Sequence, residues 1–324
     1  MSKLKHSITL YGFGSEYSNL KWSLDDCMMH AKELGGDGIE LVPVQMMPSY
    51  PSSDHKWNEH FRELCKKYGL NPVCYSAYID LGMRKDRDMD ADEKYDSTIR
   101  DLEIASELGF KIVRSQFALT PEVMEKCLPY AEKLGIHLAV ELHGPHVPSV
   151  PIWQDFLKLF QRVNSPFLGV VPDMSSFTYA PPVTFLNAEE PGKDRDVGHK
   201  LIEEFNKGVS HEELVTLNRD LGGSDDNKAL IETLFNNYFR DKVDYNGLAA
   251  LLKYSKYIHG KFFYCDENLE CFGIDYPRIV KLIKDSGFDG FIASEFEGTR
   301  FDTELDDMAQ IRRHIKMLDN LWGK

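Results

Sequence analysis

The chain has 324 residues, 42% of them hydrophobic, and its 52 acidic against 38 basic side chains give a formal charge of −14. That balance argues against a nucleic-acid partner, which needs a basic surface to meet phosphate, and suits a protein that concentrates cations. No apolar run reaches the length of a membrane span, and the opening MSKLKHSITLYGF lacks the apolar core and cleavage site of a signal peptide. The six cysteines (27, 65, 74, 127, 265 and 271) form no CxxC pair, so the expected compartment is the reduced cytoplasm.

In chain order, eight short apolar runs read as strands: ITLYGF, IELVP, PVCYSAY, KIVRSQF, HLAVELH, LGVVPDM, IHGKFFY and GFIASEF. Five junctions share one grammar, an amphipathic helix, a glycine, then a strand: AKELGGDGIELVP, CKKYGLNPVCYSAY, ASELGFKIVRSQF, AEKLGIHLAVELH and KDSGFDGFIASEF. Each glycine suits the left-handed residue just past a helix end. Tyr95, Ile99, Leu102 and Leu108 fall on one helical face, as do Leu305, Met308, Ile311, Ile315 and Leu318. Asp275 with Pro277 marks a helix start before RIVKLI. Strands alternating with helices require parallel pairing, and eight such units give a (β/α)8 TIM barrel, an α/β fold in which residues 1–324 form a single domain. The rival is a doubly wound open sheet, but no G-x-G-x-x-G follows the first strand.

One segment breaks the rhythm. About sixty residues separate LGVVPDMSSF from NGLAALLKYSKY, where a few are usual. This insertion, about 178–240, includes TYAPPVTF and the acidic helical stretches HKLIEEFNKGVS and NKALIETLFNNYF. It is too poor in core residues for a domain of its own, and is expected to serve as a lid over the barrel mouth or as a subunit contact.

Chemistry in such barrels sits at the C-terminal strand ends. There the fifth strand carries Glu141 and His143 within AVELHGPH, the sixth ends at Asp173, the seventh begins with His259 and the eighth ends in Glu295 and Glu297. A lone strand-end acid is ordinarily a helix cap or an ion-pair partner, and a lone His at a strand start an ordinary core residue. Four such residues on four consecutive strands are different. Three acids and a His at one mouth repel unless a cation sits between them. That oxygen-rich set favours Mn²⁺ or Mg²⁺, with Co²⁺ or Fe²⁺ as alternatives and Zn²⁺ less suited.

With IHGKFF and IDYPRIVKLIKDSGFDGFIASEFEG, this pattern resembles the xylose isomerase-like superfamily of sugar isomerases and epimerases. Within it, ELHGPH, VPDMSSF and the long insertion resemble the catalytic large subunit of C-glycoside deglycosidases. The resemblance implies metal ligands at Glu141, Asp173, His259 and Glu295, cleavage of the carbon–carbon bond of 3-oxo-C-glycosides, and a small β-subunit in a hetero-oligomer. Ketose 3-epimerases of the superfamily usually carry a His three residues after the strand-six Asp and an Arg soon after the strand-seven His. Here Ser176 takes the first place and KFFYCDENLE offers no Arg. The apurinic endonucleases of this fold need a larger His-rich site and a basic face, and neither is present.

His143 shares a strand face with Glu141, one pleat nearer the mouth, which suits it to act as catalytic base on the C2 proton of a 3-oxo sugar or to orient Glu141. His146, Lys261 and Glu297 are candidate substrate-binding residues, although Lys261 equally suits an ion pair with Glu297. Arg114 reads as a brace for the barrel. Tyr11, Phe13, Tyr75, Tyr78 and Phe177 are candidates for an aromatic aglycone pocket or for core. Three functions remain open: a metal-dependent C-glycoside lyase, an isomerase or epimerase using the same enolisation, and a sugar-binding barrel without catalysis.

Overall fold

The computed structural model describes residues 3–189, 191–238 and 242–323. Eight strands, β1 (Lys5–Thr9), β2 (Gly38–Leu41), β3 (Asn71–Ser76), β4 (Ile112–Ser115), β5 (His137–Leu142), β6 (Leu168–Pro172), β7 (Tyr257–Phe262) and β8 (Phe291–Phe296), form one sheet in the order β6-β5-β4-β3-β2-β1-β8-β7. Every ladder in it is parallel. The remaining seam, between β6 and β7, is spanned by a single backbone bridge from Asp173 to His259 and by the Val170 N–H, which donates to the Tyr254 carbonyl. The result is the expected TIM barrel, nearly closed.

Local chemistry explains the alternation. The five junction glycines, Gly35, Gly69, Gly109, Gly135 and Gly287, all take positive φ, between 61° and 91°. In that conformation the chain leaves a helix and turns into the next strand without a Cβ clash. Asp275 accepts the Arg278 N–H at the start of helix Tyr276–Asp285, with Pro277 in its first turn. Leu102 and Leu108 of helix Ala91–Leu108, and Ile311, Ile315 and Leu318 of helix Asp307–Trp322, are buried, as the periodicity requires.

Two expectations change. The first strand begins upstream of ITLYGF and shares only Ile8 and Thr9 with it: it ends at Thr9, whose hydroxyl accepts the Tyr11 N–H and starts a 3-10 turn over Leu10–Phe13. Of the five aromatic residues considered for a pocket, Phe13, Tyr75 and Phe177 are fully buried core. Tyr75 alternates with Cys74 and Ser76, so it points out of the barrel, where its hydroxyl meets Asp101 of helix Ala91–Leu108 at 3.4 Å. Tyr11 and Tyr78 stay half-buried.

The insertion folds into three helices, Lys193–Asn206, His211–Asp220 and Asp225–Asn237. They enclose an apolar cluster that includes Leu201, Phe205, Leu214, Ile231 and Leu234, a richer core than the sequence pattern indicates. Its stem is tied to loops leaving β7 and β8. Tyr179 donates its N–H to Gly273, Ala188 donates to Phe301, and the Phe185 ring lies 4.8 Å from that of Phe301. Loops leaving parallel strands lie at the C-terminal mouth, so the insertion is anchored at the rim of the candidate site. No helix among the described residues is long and apolar enough to cross a membrane.

Candidate metal centre

Four strands deliver the four residues expected to hold a cation. Glu141 lies one residue from the end of β5. Asp173 follows β6 directly and caps the 3-10 turn Met174–Phe177, its Oδ1 accepting the Ser175 N–H at 2.7 Å. That bond leaves Oδ2 turned elsewhere. His259 is the third residue of β7 rather than its first, and Glu295 stands on β8 in register with Lys261. All four are buried, and one ligand atom from each lies within 4.8 Å of the others.

The chemistry of this set fits a divalent metal ion. His259 Nδ1 lies 2.6 Å from Glu141 Oε1, 3.0 Å from Glu295 Oε2 and 3.8 Å from Asp173 Oδ2. Asp173 Oδ2 and Glu295 Oε2 are buried with no hydrogen-bond partner among the described residues. Their nearest cationic groups, His259 Nδ1 at 3.0 Å from Glu295 Oε2 and Lys261 Nζ at 3.4 Å from Asp173 Oδ2, form ion pairs without a hydrogen bond, and a cation would satisfy both oxygens at once. Three carboxylates and one imidazole suit a hard or borderline ion.

The surrounding charges keep Glu141 and Asp173 ionised. Burial alone would raise the pKa of Glu141, but Arg114 and then His259 pull it down to about 2. Burial likewise opposes charge on Asp173, and Lys261, His143 and His259 outweigh it, holding that carboxyl below its usual range. For His259, burial disfavours the imidazolium, yet Glu295, Glu40 and Glu141 raise its pKa well above the ordinary value. A proton on His259 and a metal ion therefore compete for the same carboxylates.

Arg114 is the brace expected of it, with its guanidinium 3.3 Å from Glu141 and 3.6 Å from Glu40. Lys261, 1% exposed, lies 2.7 Å from Glu297, 3.1 Å from Glu295 and 3.4 Å from Asp173. The ion pair with Glu297 is thus present, and it reaches into the metal set. His143 stands at the open side, its side chain 46% exposed, with Nε2 3.9 Å from Asp173 Oδ2. Its Nδ1 lies 2.5 Å from the Gly144 carbonyl, to which it donates, and Nε2 faces Asp173 and the open side. His146 is half-buried in the following loop, where its Nδ1 accepts the Trp153 indole N–H at 3.3 Å and its ring meets Phe117 edge-on. Burial, and then His143, depress the pKa of His146, leaving a neutral ring with an Nε2–H to donate. Ser176 is buried and donates to the Leu142 carbonyl.

One residue escaped the sequence reading. Glu40 on β2 is fully buried, accepts from Ser76 and from the Tyr257 hydroxyl, and lies 3.1 Å from His259 Nε2. A carboxylate inside the four-residue buried strand GIEL was the available signal.

A sequence profile of the xylose isomerase-like TIM barrel family matches residues 29–321. The chain belongs to that family. This xylose isomerase-like chain is 29% identical to the 3′-dehydrocarminate deglycosidase alpha subunit of a Microbacterium species, over 98% of its own length and 95% of that protein. It is 28% identical to a C-glycoside deglycosidase alpha subunit of Arthrobacter globiformis, over 93% and 86%. Among solved structures it resembles D-psicose 3-epimerase, with a TM-score of 0.61 at 11% identity, over 99% and 100% of the two chains. D-allulose 3-epimerase from Methylomonas sp. gives 0.56 at 12% identity, over 99% of each chain. Likeness at that identity is a likeness of fold.

Proposed function

We propose that this protein is the catalytic subunit of a metal-dependent C-glycoside deglycosidase, a cytoplasmic carbon–carbon lyase acting on 3-oxo-C-glycosides. The observation that carries the reading is the His143 imidazole, its Nε2 3.9 Å from Asp173 Oδ2, at the open side of a buried three-carboxylate, one-imidazole cluster. That pairs a base with a cation site, which is what enolisation beside a sugar carbonyl needs. Similarity to two deglycosidase alpha subunits over most of the chain supports the choice of substrate class.

Glu141, Asp173, His259 and Glu295 would hold the ion, Mn²⁺ first and Mg²⁺, Co²⁺ or Fe²⁺ as alternatives, and bound there it would polarise the C3 carbonyl and so acidify C2–H. His143 Nε2 takes the C2 proton, and the resulting imidazolium is held by the Asp173 carboxylate beside it. The electron pair from C2–H forms the C1–C2 double bond as the bond from C1 to the aromatic carbon breaks. The leaving pair stays on the aromatic carbon, which takes a proton from solvent, and the His143 imidazolium returns its own to solvent. Lys261 has three N–H donors for Glu297, Glu295 and Asp173, and those facing Glu295 and Asp173 are the ones a sugar oxygen would share. Glu297 and the Nε2–H of His146 complete the proposed substrate contacts.

The rim-anchored insertion, as lid or subunit contact within the single barrel domain, suits a mouth completed by a small β-subunit. Incubating the protein and this partner with a 3-oxo-C-glucoside and added Mn²⁺ tests the proposal by chromatography. Free aglycone is the expected product, lost on chelation. An isomerised or epimerised sugar without free aglycone would favour the isomerase reading instead. Full activity from an isolated monomer would contradict the partner.

A further inference from the structure

We infer that Glu40 is a positioning residue that fixes the metal-binding tautomer of His259. The inference rests on the metal-site reading above and extends it to β2, a strand not adjacent to β7. The two ring nitrogens of His259 face different partners. Nδ1 turns toward Glu141 and Glu295, at 2.6 and 3.0 Å, while Nε2 lies 3.1 Å from Glu40. A ring nitrogen that binds a cation must present its lone pair, so the ring proton has to reside on the other nitrogen.

Glu40 can hold that proton in place because its own surroundings leave it one role. Its other polar contacts are donors: the Ser76 hydroxyl, the Tyr257 hydroxyl at 3.2 Å and the Arg114 guanidinium at 3.6 Å. With a cation in place of the proton that Nδ1 shares with Glu141, a carboxylate among donors would accept the remaining ring proton at Nε2 and leave the Nδ1 lone pair facing Glu141 and Glu295. Tyr257 is itself held 2.8 Å from the Ser7 hydroxyl, so residues of β1, β3, β4 and β7 together set the orientation of Glu40. It is fully buried, and the His259 ring stands between it and the Glu141 and Glu295 carboxylates. Whatever it does for the reaction it does through His259.

Arg114 offers a competing explanation, in which Glu40 serves only to neutralise the guanidinium. The guanidinium is closer to Glu141, at 3.3 Å, than to Glu40, and the imidazole is closer to Glu40 than the guanidinium is. The distances favour the imidazole.

The test compares wild type with Glu40→Gln, which keeps an oxygen acceptor, and Glu40→Met, which fills the space without one. Mn²⁺ affinity is measured by titration calorimetry, the Co²⁺-loaded visible spectrum reports ligand geometry, and circular dichroism checks the fold. Glu40→Gln should stay within about tenfold of wild type, whereas Glu40→Met should bind Mn²⁺ roughly 10- to 100-fold more weakly with an altered Co²⁺ spectrum. A folded Glu40→Met protein with wild-type affinity and spectrum would overturn the inference alone. Should that variant not fold, ¹⁵N-histidine NMR of Zn²⁺-loaded wild type still decides: the expected result is a protonated His259 Nε2 with Nδ1 on the metal, and the reverse tautomer overturns it. A wild type that binds no divalent ion removes the metal reading and this inference with it.

Discussion

Asp173 and His259 join β6 to β7 through an isolated parallel backbone bridge, and their side chains face each other with Oδ2 3.8 Å from Nδ1. The barrel's weakest seam and two of its four candidate ligands are therefore the same place. An ion held there would tie β6 to β7 where the hydrogen-bond ladder does not. Divalent metal at about 100 times its Kd should add roughly 2.7 kcal/mol of stability. Differential scanning calorimetry should show Tm rising by several degrees with Mn²⁺ and falling with chelator. Glu141→Gln and Glu295→Gln should fold, lose bound metal by elemental analysis, lose activity and lose the Mn²⁺ shift in Tm. A Glu141→Gln protein that keeps stoichiometric metal would contradict the assignment.

Lys261 sits among Asp173, Glu295 and Glu297 with almost no exposure. Lys261→Met leaves the buried Asp173 and Glu295 and the part-buried Glu297 short of a counter-charge, which typically destabilises by roughly 3–5 kcal/mol. Urea unfolding of the chelated protein should show that loss, and much of it should return on adding Mn²⁺. Unchanged stability without metal would mean that the lysine is not paired as described.

Asp101 gives a pH prediction away from the site. It is buried on helix Ala91–Leu108, its Oδ2 has no partner among the described residues, and burial raises its pKa to about 7 despite Arg100. The folded pKa lies above the unfolded value, so the unfolded chain gives up this proton first. Stability present at low pH is then lost as pH rises from about 4 to about 7. Asp101→Asn should exceed wild type in urea unfolding at pH 8 by roughly 1–4 kcal/mol, and differ little at pH 4. Equal stabilities at pH 8 would show that Asp101 is not carrying this strain.

The parts legible in sequence were those written in local grammar. Helix–glycine–strand junctions show because the turn needs a positive φ, realised at Gly69 and Gly135 as at the other three. Glu141 and Asp173 show because strand-end acids are rare in otherwise apolar runs. Glu40 did not show, because its partner His259 lies on a strand that meets β2 only across the barrel interior. Nor did the outward turn of Tyr75: its place in a strand is visible, but which alternate residues face inward depends on register. The core of the insertion was understated for a similar reason. Phe205, Leu214 and Ile231 are spread over three helices and become a cluster only when those helices pack.

His143 separates the base from the metal. His143→Ala should keep its metal and its substrate affinity while turnover falls by roughly 10²- to 10⁴-fold, the range for a lost general base. Metal loss in this variant would reassign His143 to orienting the ligand set, with His146 or Glu297 as base. Continued exchange of the C2 proton with solvent, with cleavage stopped, would make His143 the acid that protonates the aromatic carbon.

The most direct measurement uses a 3-oxo-C-glucoside carrying deuterium at C2, with Mn²⁺-loaded protein and the proposed partner subunit. Free aglycone and sugar-bound deuterium are followed together by NMR and mass spectrometry. Proton abstraction by His143 followed by elimination predicts that each aglycone released leaves a sugar that has lost its C2 deuterium. Aglycone released from sugar that still carries that deuterium would contradict the account.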